Sequence, residues 1–233
     1  MTEGLISDVK NILKNISMYI DQTMLRYDAS LKEYINFVEE SEKYGFRALV
    51  VPPSVVKHVS AISKIPVVGV AGFPYGYAPL EAKAREISII AEGGGKEVDV
   101  VINLIYIKER LYDEVTSEIQ NLVKLAHELG LAIKIIIETS ILTMNEITEV
   151  SRIVAAQGAD FIKTNTGFGT RGVSIGDVVL IKNVVKDTVR IKAAGGIRTA
   201  LDAAYLILYG ADVIGASKGV SIVKEAEKLV DLI

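Results

Sequence analysis

The chain has 233 residues, half of them hydrophobic, a size at which one large core accounts for the whole sequence and a disordered or fibrous chain is excluded. Formal net charge is −3, so no overall basic field exists to gather nucleic acid, although a local anion site stays open. With no cysteines and only two histidines, His58 and His127, the sequence excludes disulfides, thiolate nucleophiles and a histidine-rich metal centre.

The first segment, LISDVKNILKNI, places Leu5, Val9, Ile12, Leu13 and Ile16 on one helical face and reads as a lid on the core. No basic stretch leads into an apolar run, and no window approaches the ~20 apolar residues of a membrane span, so a cytoplasmic protein with no membrane partner is expected. Short β-branched runs then alternate with longer helical patterns to the end of the chain. Strands are predicted at 18–23, 46–51, 65–72, 97–103, 131–138, 159–164, 189–194 and 211–217. Capping-box spacings at Thr143 to Glu146, Ser174 to Asp177 and Thr199 to Asp202 start helices, Pro79 fits a first helical turn, and Gly45, Gly130, Gly158 and Gly210 stop helices just before a strand. His58 and His127 fall in helical patterns, follow no strand, and read as surface or packing residues. The run GGGK at 93–96 precedes a strand instead of opening a helix, so it reads as a helix stop and not as a phosphate loop.

Eight strands separated by helices form either a doubly wound open sheet or a closed barrel. The absence of GxGxxG after the first strand and a length near the ~250 residues typical of the barrel favour a single-domain (βα)8 barrel over residues 17–233, with an extra N-terminal helix at 1–16.

Charges inside the strands run against that fold, because a packed barrel interior is filled by branched apolar side chains. Strand alternation puts Asp99, Lys163 and Lys192 on the face opposite their apolar neighbours, pointing inward, and Lys134, Ile136 and Glu138 share the same inner facing. One reading is a buried structural ion network. The other is chemical: Lys163 and Lys192 stand on adjacent strands, and repulsion together with desolvation leaves one amine neutral, the nucleophile that forms an imine with a carbonyl. Asp99 is then placed to pass protons through a water. Glycine-rich stretches follow the sixth, seventh and eighth strands as TNTGFG, AGGIRT and GASKG, where backbone N–H groups and helix N-termini suit a phosphate.

These residues resemble deoxyribose-phosphate aldolase, a class I aldolase family of the (βα)8 type. The similarity runs from Asp21 to about Gly219 and rests on DQTML at 21–25, EVDVVIN at 97–103, IKIIIET at 133–139, FIKTNTGFG at 161–169, IKAAGGIRT at 191–199 and IGASKG at 214–219. The resemblance implies that Lys163 forms the Schiff base and that Asp99 and Lys192 form the proton-relay pair. It also implies reversible cleavage of 2-deoxyribose 5-phosphate to glyceraldehyde 3-phosphate and acetaldehyde, in deoxyribonucleotide catabolism, with no metal or organic cofactor. By the same resemblance Thr166, Gly167, Gly195, Gly196, Ser217 and Lys218 belong to the phosphate-binding stretches, while Asp21 and Thr23 match polar positions near the substrate. Three positions depart from the family pattern: Gln22 replaces a His, Asn165 replaces a Ser, and Lys218 replaces a second Ser. Some relatives carry a tyrosine in a C-terminal tail, where this sequence reads KLVDLI.

Expected partners are a sugar phosphate and small aldehydes, with no nucleic acid, and a homo-oligomer, dimer or tetramer, of barrels paired through outer helices. Two other functions stay open at this stage: an imine-forming aldolase for a different sugar phosphate, separated by assaying several aldehydes, and a non-catalytic phosphate-binding barrel, which would bind without turnover.

Overall fold

The computed structural model describes residues 2–232, and the side chains of residues 4–232. The end positions 1 and 233 of the expected boundaries lie outside the described residues. In chain order the elements are α1 (Thr2–Lys14), β1 (Ile20–Thr23), α2 (Leu31–Tyr44), β2 (Ala48–Val51), α3 (Pro53–Ser60), β3 (Val67–Ala71), α4 (Leu80–Glu92), β4 (Glu97–Val101), α5 (Leu104–Lys108) and α6 (Tyr112–Glu128). They continue with β5 (Ala132–Ile136), α7 (Met144–Ala156), β6 (Phe161–Lys163), α8 (Ile175–Val185), β7 (Arg190–Ala194), α9 (Ala200–Leu208), β8 (Val213–Ala216) and α10 (Gly219–Val230). The strands pair in parallel in sequence order, and β8 closes on β1 to complete the barrel. Parallel strands need a crossover between them, and each crossover here carries a helix, so the outer face of every strand is covered.

The predicted local signals act where they stand. Thr143 with Glu146 and Ser174 with Asp177 form reciprocal capping boxes; Thr199 accepts from the Asp202 N–H without the return bond, and a further box forms at Ser30 and Glu33. Pro79 is the N-cap of α4, one residue before the first turn. Gly45, Gly130, Gly158 and Gly210 all take positive φ before the next strand. Gly93 closes α4, its N–H donating to the Ile89 carbonyl, so GGGK is a helix stop. The lid formed by α1 begins at Val9: Val9 and Leu13 are buried and the helix packs on α9 and α10, Ile16 is buried in the short 3-10 turn that follows, and Leu5 lies one turn too far out and is 44% exposed.

Strand alternation sorts the core into two layers. Val98, Val100, Ile162 and Ile191 belong to the large cluster between strands and helices, while Ala48, Val50, Val68 and Val70 form a small separate cluster inside β2 and β3. The rest of the interior mixes an ionic group with buried Val101, Ile136, Phe161 and Val213. No helix among the described residues is long and apolar enough to cross a membrane.

Candidate active site

The strand register brings the inward-facing charges together. Lys163 is the direct partner of Lys192 across β6 and β7, and Asp99 is the partner of Lys134 across β4 and β5. Asp99 Oδ2 accepts hydrogen bonds from Lys163 Nζ at 2.9 Å and from Lys192 Nζ at 2.7 Å, so one carboxylate oxygen bridges both amines. Its other oxygen faces Lys134 Nζ at 3.0 Å. Lys192 also meets Asp21 Oδ2 at 2.6 Å, and Lys134 meets Glu97. Arg47 completes the network from beneath, donating to Asp21 Oδ1 at 2.6 Å and to Glu97 Oε1 at 2.7 Å.

Glu138 does not join this interior group. β5 ends at Ile136, and Glu138 turns into the left-handed region at φ 55°, which breaks the alternation that would have aimed it inward. Its buried carboxylate accepts from the N–H and hydroxyl of Thr166 and from the Ser140 hydroxyl, tying the loop after β6 to the end of β5. Asp21, Glu97 and Asp99 are therefore the interior anions, opposed by four cations, Arg47, Lys134, Lys163 and Lys192. Four against three leaves one positive charge in excess.

The excess falls on Lys163, which is held low, at about 8 against an ordinary 10.5. Burial is the leading cause; Asp99 opposes it, and the charges of Lys192 and then Lys134 push the same way as burial. Mutual repulsion of the two lysines therefore contributes, but removal from water leads. Asp99 titrates well below its usual range: burial alone would raise it, and Lys134, Lys163 and Lys192 together outweigh that. A neutral Lys163 leaves three cations facing three carboxylates. The interior is thus a structural ion network and, at its upper end, a source of free amine.

Lys163 ends β6 and is the one member of this group that borders the cleft of about 1030 Å³ at the C-terminal end of the barrel. Asp99 and Lys192 lie just behind it, fully buried. Phe73 stands over the amine, its ring centroid 5.7 Å from Lys163 Nζ, and meets Phe168 edge-on at 5.6 Å. Phe73 and Leu25 also pack on the cluster of Ala48, Val50, Val68 and Val70, so one wall beside the nucleophile is apolar. Closeness matters elsewhere too: a Cβ on Gly215 would lie 3.1 Å from Lys192 Cε and 2.9 Å from the Ala194 Cβ, so only glycine lets the Lys192 chain pass straight to Asp99.

The predicted phosphate stretches line the same cleft. Thr23, Thr166, Gly167, Gly195, Gly196, Ser217 and Lys218 border it, and Gly195 and Gly196 hold φ of 98° and 76°. Asp21 does not: it is fully buried a layer below, paired with Lys192 and Arg47. The Thr166 hydroxyl is engaged by Glu138, and Asn165 is turned away from the cleft, its Oδ1 accepting from Thr139 Oγ1 and the Ser140 N–H. Phe73 and the supports Arg47 and Glu97 escaped the sequence reading, and Arg198, which borders the cleft, was quoted within AGGIRT without being singled out. Strand parity would have marked Glu97, two residues before Asp99, and the glycine-rich stretch AGGIRT would have marked Arg198; nothing local marks Phe73. His127 makes a partly exposed contact with Asp160 at 3.0 Å, and His58 is exposed, so neither reaches the site. Among the described residues no three His, Asp or Glu side chains converge in a way that could hold a metal ion.

Residues 16–227 match the sequence profile of the DeoC/LacD family aldolases. The chain belongs to that family. It is 41% identical over 218 residues to a deoxyribose-phosphate aldolase of Thermococcus kodakarensis, covering 91% of this chain and 97% of that one. Among solved structures it resembles "QR15, an Aldolase" at 38% identity with a TM-score of 0.89, covering 94% of this chain and 99% of the other. It also resembles the deoxyribose phosphate aldolase of Aeropyrum pernix, described as a unique tetrameric structure, at 31% identity with a TM-score of 0.87, covering 96% and 98% of the two chains. In this aldolase, then, a buried amine of lowered proton affinity opens onto a cleft with one apolar wall and a glycine-rich, cationic end.

Proposed function

We propose that Lys163 is the Schiff-base nucleophile of a class I deoxyribose-phosphate aldolase, with Asp99 and Lys192 as its proton-handling partners. The observation that carries this is the single Asp99 oxygen shared by both amines, in a network where only Lys163 reaches the cleft. Neutral Lys163 Nζ attacks C1 of open-chain 2-deoxyribose 5-phosphate, and loss of water leaves an iminium. Acetaldehyde carries two carbons, so the bond that breaks is C2–C3. A base removes the C3 hydroxyl proton, C3 becomes the carbonyl of glyceraldehyde 3-phosphate, and the C2–C3 electron pair moves into an enamine. Protonation at C2 and hydrolysis release acetaldehyde and restore the amine.

Asp99, a carboxylate held well below its usual range, bridges Lys192 to Lys163, and the pair passes a proton to and from the reacting atoms directly or through a water. The apolar wall of Leu25 and Phe73 suits the two-carbon end, and the cationic end at Arg198 and Lys218 suits the phosphate. Asp21 acts through Lys192, which it anchors at 2.6 Å. The same reading takes the protein to be cytoplasmic and a homo-oligomer, the latter supported by the tetrameric relative.

The test is product formation. Incubation with 2-deoxyribose 5-phosphate yields equimolar acetaldehyde and glyceraldehyde 3-phosphate, and turnover of other sugar phosphates is at least 100-fold slower. Binding without turnover, or faster cleavage of another sugar phosphate, would sink this assignment.

A further inference from the structure

Gln22 stands where β1 meets the start of α10. It is only 6% exposed, and its Oε1 accepts the Gly219 N–H, the first of α10, at 3.0 Å. The contact is tight: a Cβ on Gly219 would fall 2.4 Å from that oxygen, so the amide has been brought directly onto the helix end. A backbone N–H only donates, so chemistry alone orients the carboxamide, oxygen toward Gly219 and nitrogen away from it. That nitrogen forms no hydrogen bond among the described residues, and it is not sealed from solvent as the buried orphan polar atoms are. Gln22 borders the cleft beside Ser217, Lys218, Gly196 and Arg198.

The Gly219 N–H, one of the free donors that make a helix start attractive to anions, is therefore already occupied. In its place the side chain offers two N–H donors of its own from a nearly buried position. We infer that Gln22 is a phosphate-specificity residue, exchanging the blocked Gly219 N–H for an amide donor aimed at the phosphate monoester. This rests on the aldolase reading of the cleft and adds to it a residue with a defined division of labour between its two amide atoms.

Gln22→Glu keeps the acceptor for Gly219 and replaces the donor with a negative charge; Gln22→His keeps both functions. The readout is kcat/KM for 2-deoxyribose 5-phosphate divided by that for unphosphorylated 2-deoxyribose. The ratio falls at least tenfold in Gln22→Glu and stays within threefold of wild type in Gln22→His. A mere structural cap survives in Gln22→Glu, so a ratio within twofold of wild type in that variant overturns the inference. If Gln22→Glu does not fold, Gln22→Met is scored by the same criterion. Calorimetric binding of inorganic phosphate separates this from failure of the aldolase assignment: a wild-type protein without turnover still reports on Gln22, through a tenfold weaker phosphate affinity in the variant if the inference holds and equal affinities if it does not.

Discussion

Lys163 makes the pH dependence of imine formation a direct reading of the barrel interior. At pH 7 an ordinary lysine of pKa 10.5 is neutral in about one molecule in three thousand, whereas at about 8 it is neutral in about one in eleven, a gain of roughly 300-fold in nucleophile. The rate at which acetaldehyde is trapped by cyanoborohydride should rise with pH along a limb centred near 8 and level off above it. Two substitutions move that limb in opposite directions. Asp99→Asn removes the group that holds the proton on Lys163, so the limb moves to lower pH; Lys192→Met removes a like charge that helps expel the proton, so it moves to higher pH. Because burial is the larger cause, Lys192→Met shifts the limb without returning it to the value of a lysine in water. A wild-type limb near 10, or movement of both variants in the same direction, would refute this reasoning.

The same burial makes the nucleophile costly to the fold. A lysine held at about 8 when folded and 10.5 when unfolded destabilises the protein by about 3 kcal/mol below pH 8, and since the unfolded chain then binds more protons, stability recovers as pH rises from 8 toward 10.5. Lys163→Met should accordingly be inactive yet more stable by about 2 kcal/mol at pH 7 in urea melts, with the gap closing near pH 10; an equally stable or weaker variant at pH 7 would contradict this. Gly215→Ala drives a methyl against Lys192 Cε and Ala194, and should cost about 1–3 kcal/mol of stability together with most of the aldol activity, read by melting and product assay. Outside the barrel, Lys83 on α4 is fully buried against Glu118 of α6 at 2.6 Å, and Glu118 also accepts the Asn103 N–H. Glu118→Ala strands a buried ammonium and should cost about 3–5 kcal/mol, while the double variant Lys83→Met with Glu118→Leu costs visibly less; equal losses would show that the charge pairing is not what matters.

The barrel was legible because helix stops, caps and β-branched runs repeat locally, and each acts where it stands. Parity alone placed Asp99, Lys134, Lys163 and Lys192 inside, since a strand residue has only two faces to choose from. It failed at Glu138, where the strand ends two residues early and the backbone turns left-handed. The weight of burial over repulsion at Lys163 could not be read either, because it depends on Asp21, Glu97 and Arg47 closing the network below and on Phe73 covering the amine from above. Those contacts join β1 and β4 through Arg47, just before β2, and reach β6 from Phe73, just after β3, and no sequence spacing encodes them. The oxygen of Gln22 on Gly219 joins residues 197 positions apart and was equally invisible.

The most direct test is borohydride reduction in the presence of isotopically labelled acetaldehyde, followed by peptide mass spectrometry at pH 7. The account predicts one ethylated residue, Lys163, with Lys134 and Lys192 unmodified in the same sample. Label on Lys192, or spread over surface lysines with Lys163 untouched, would contradict it.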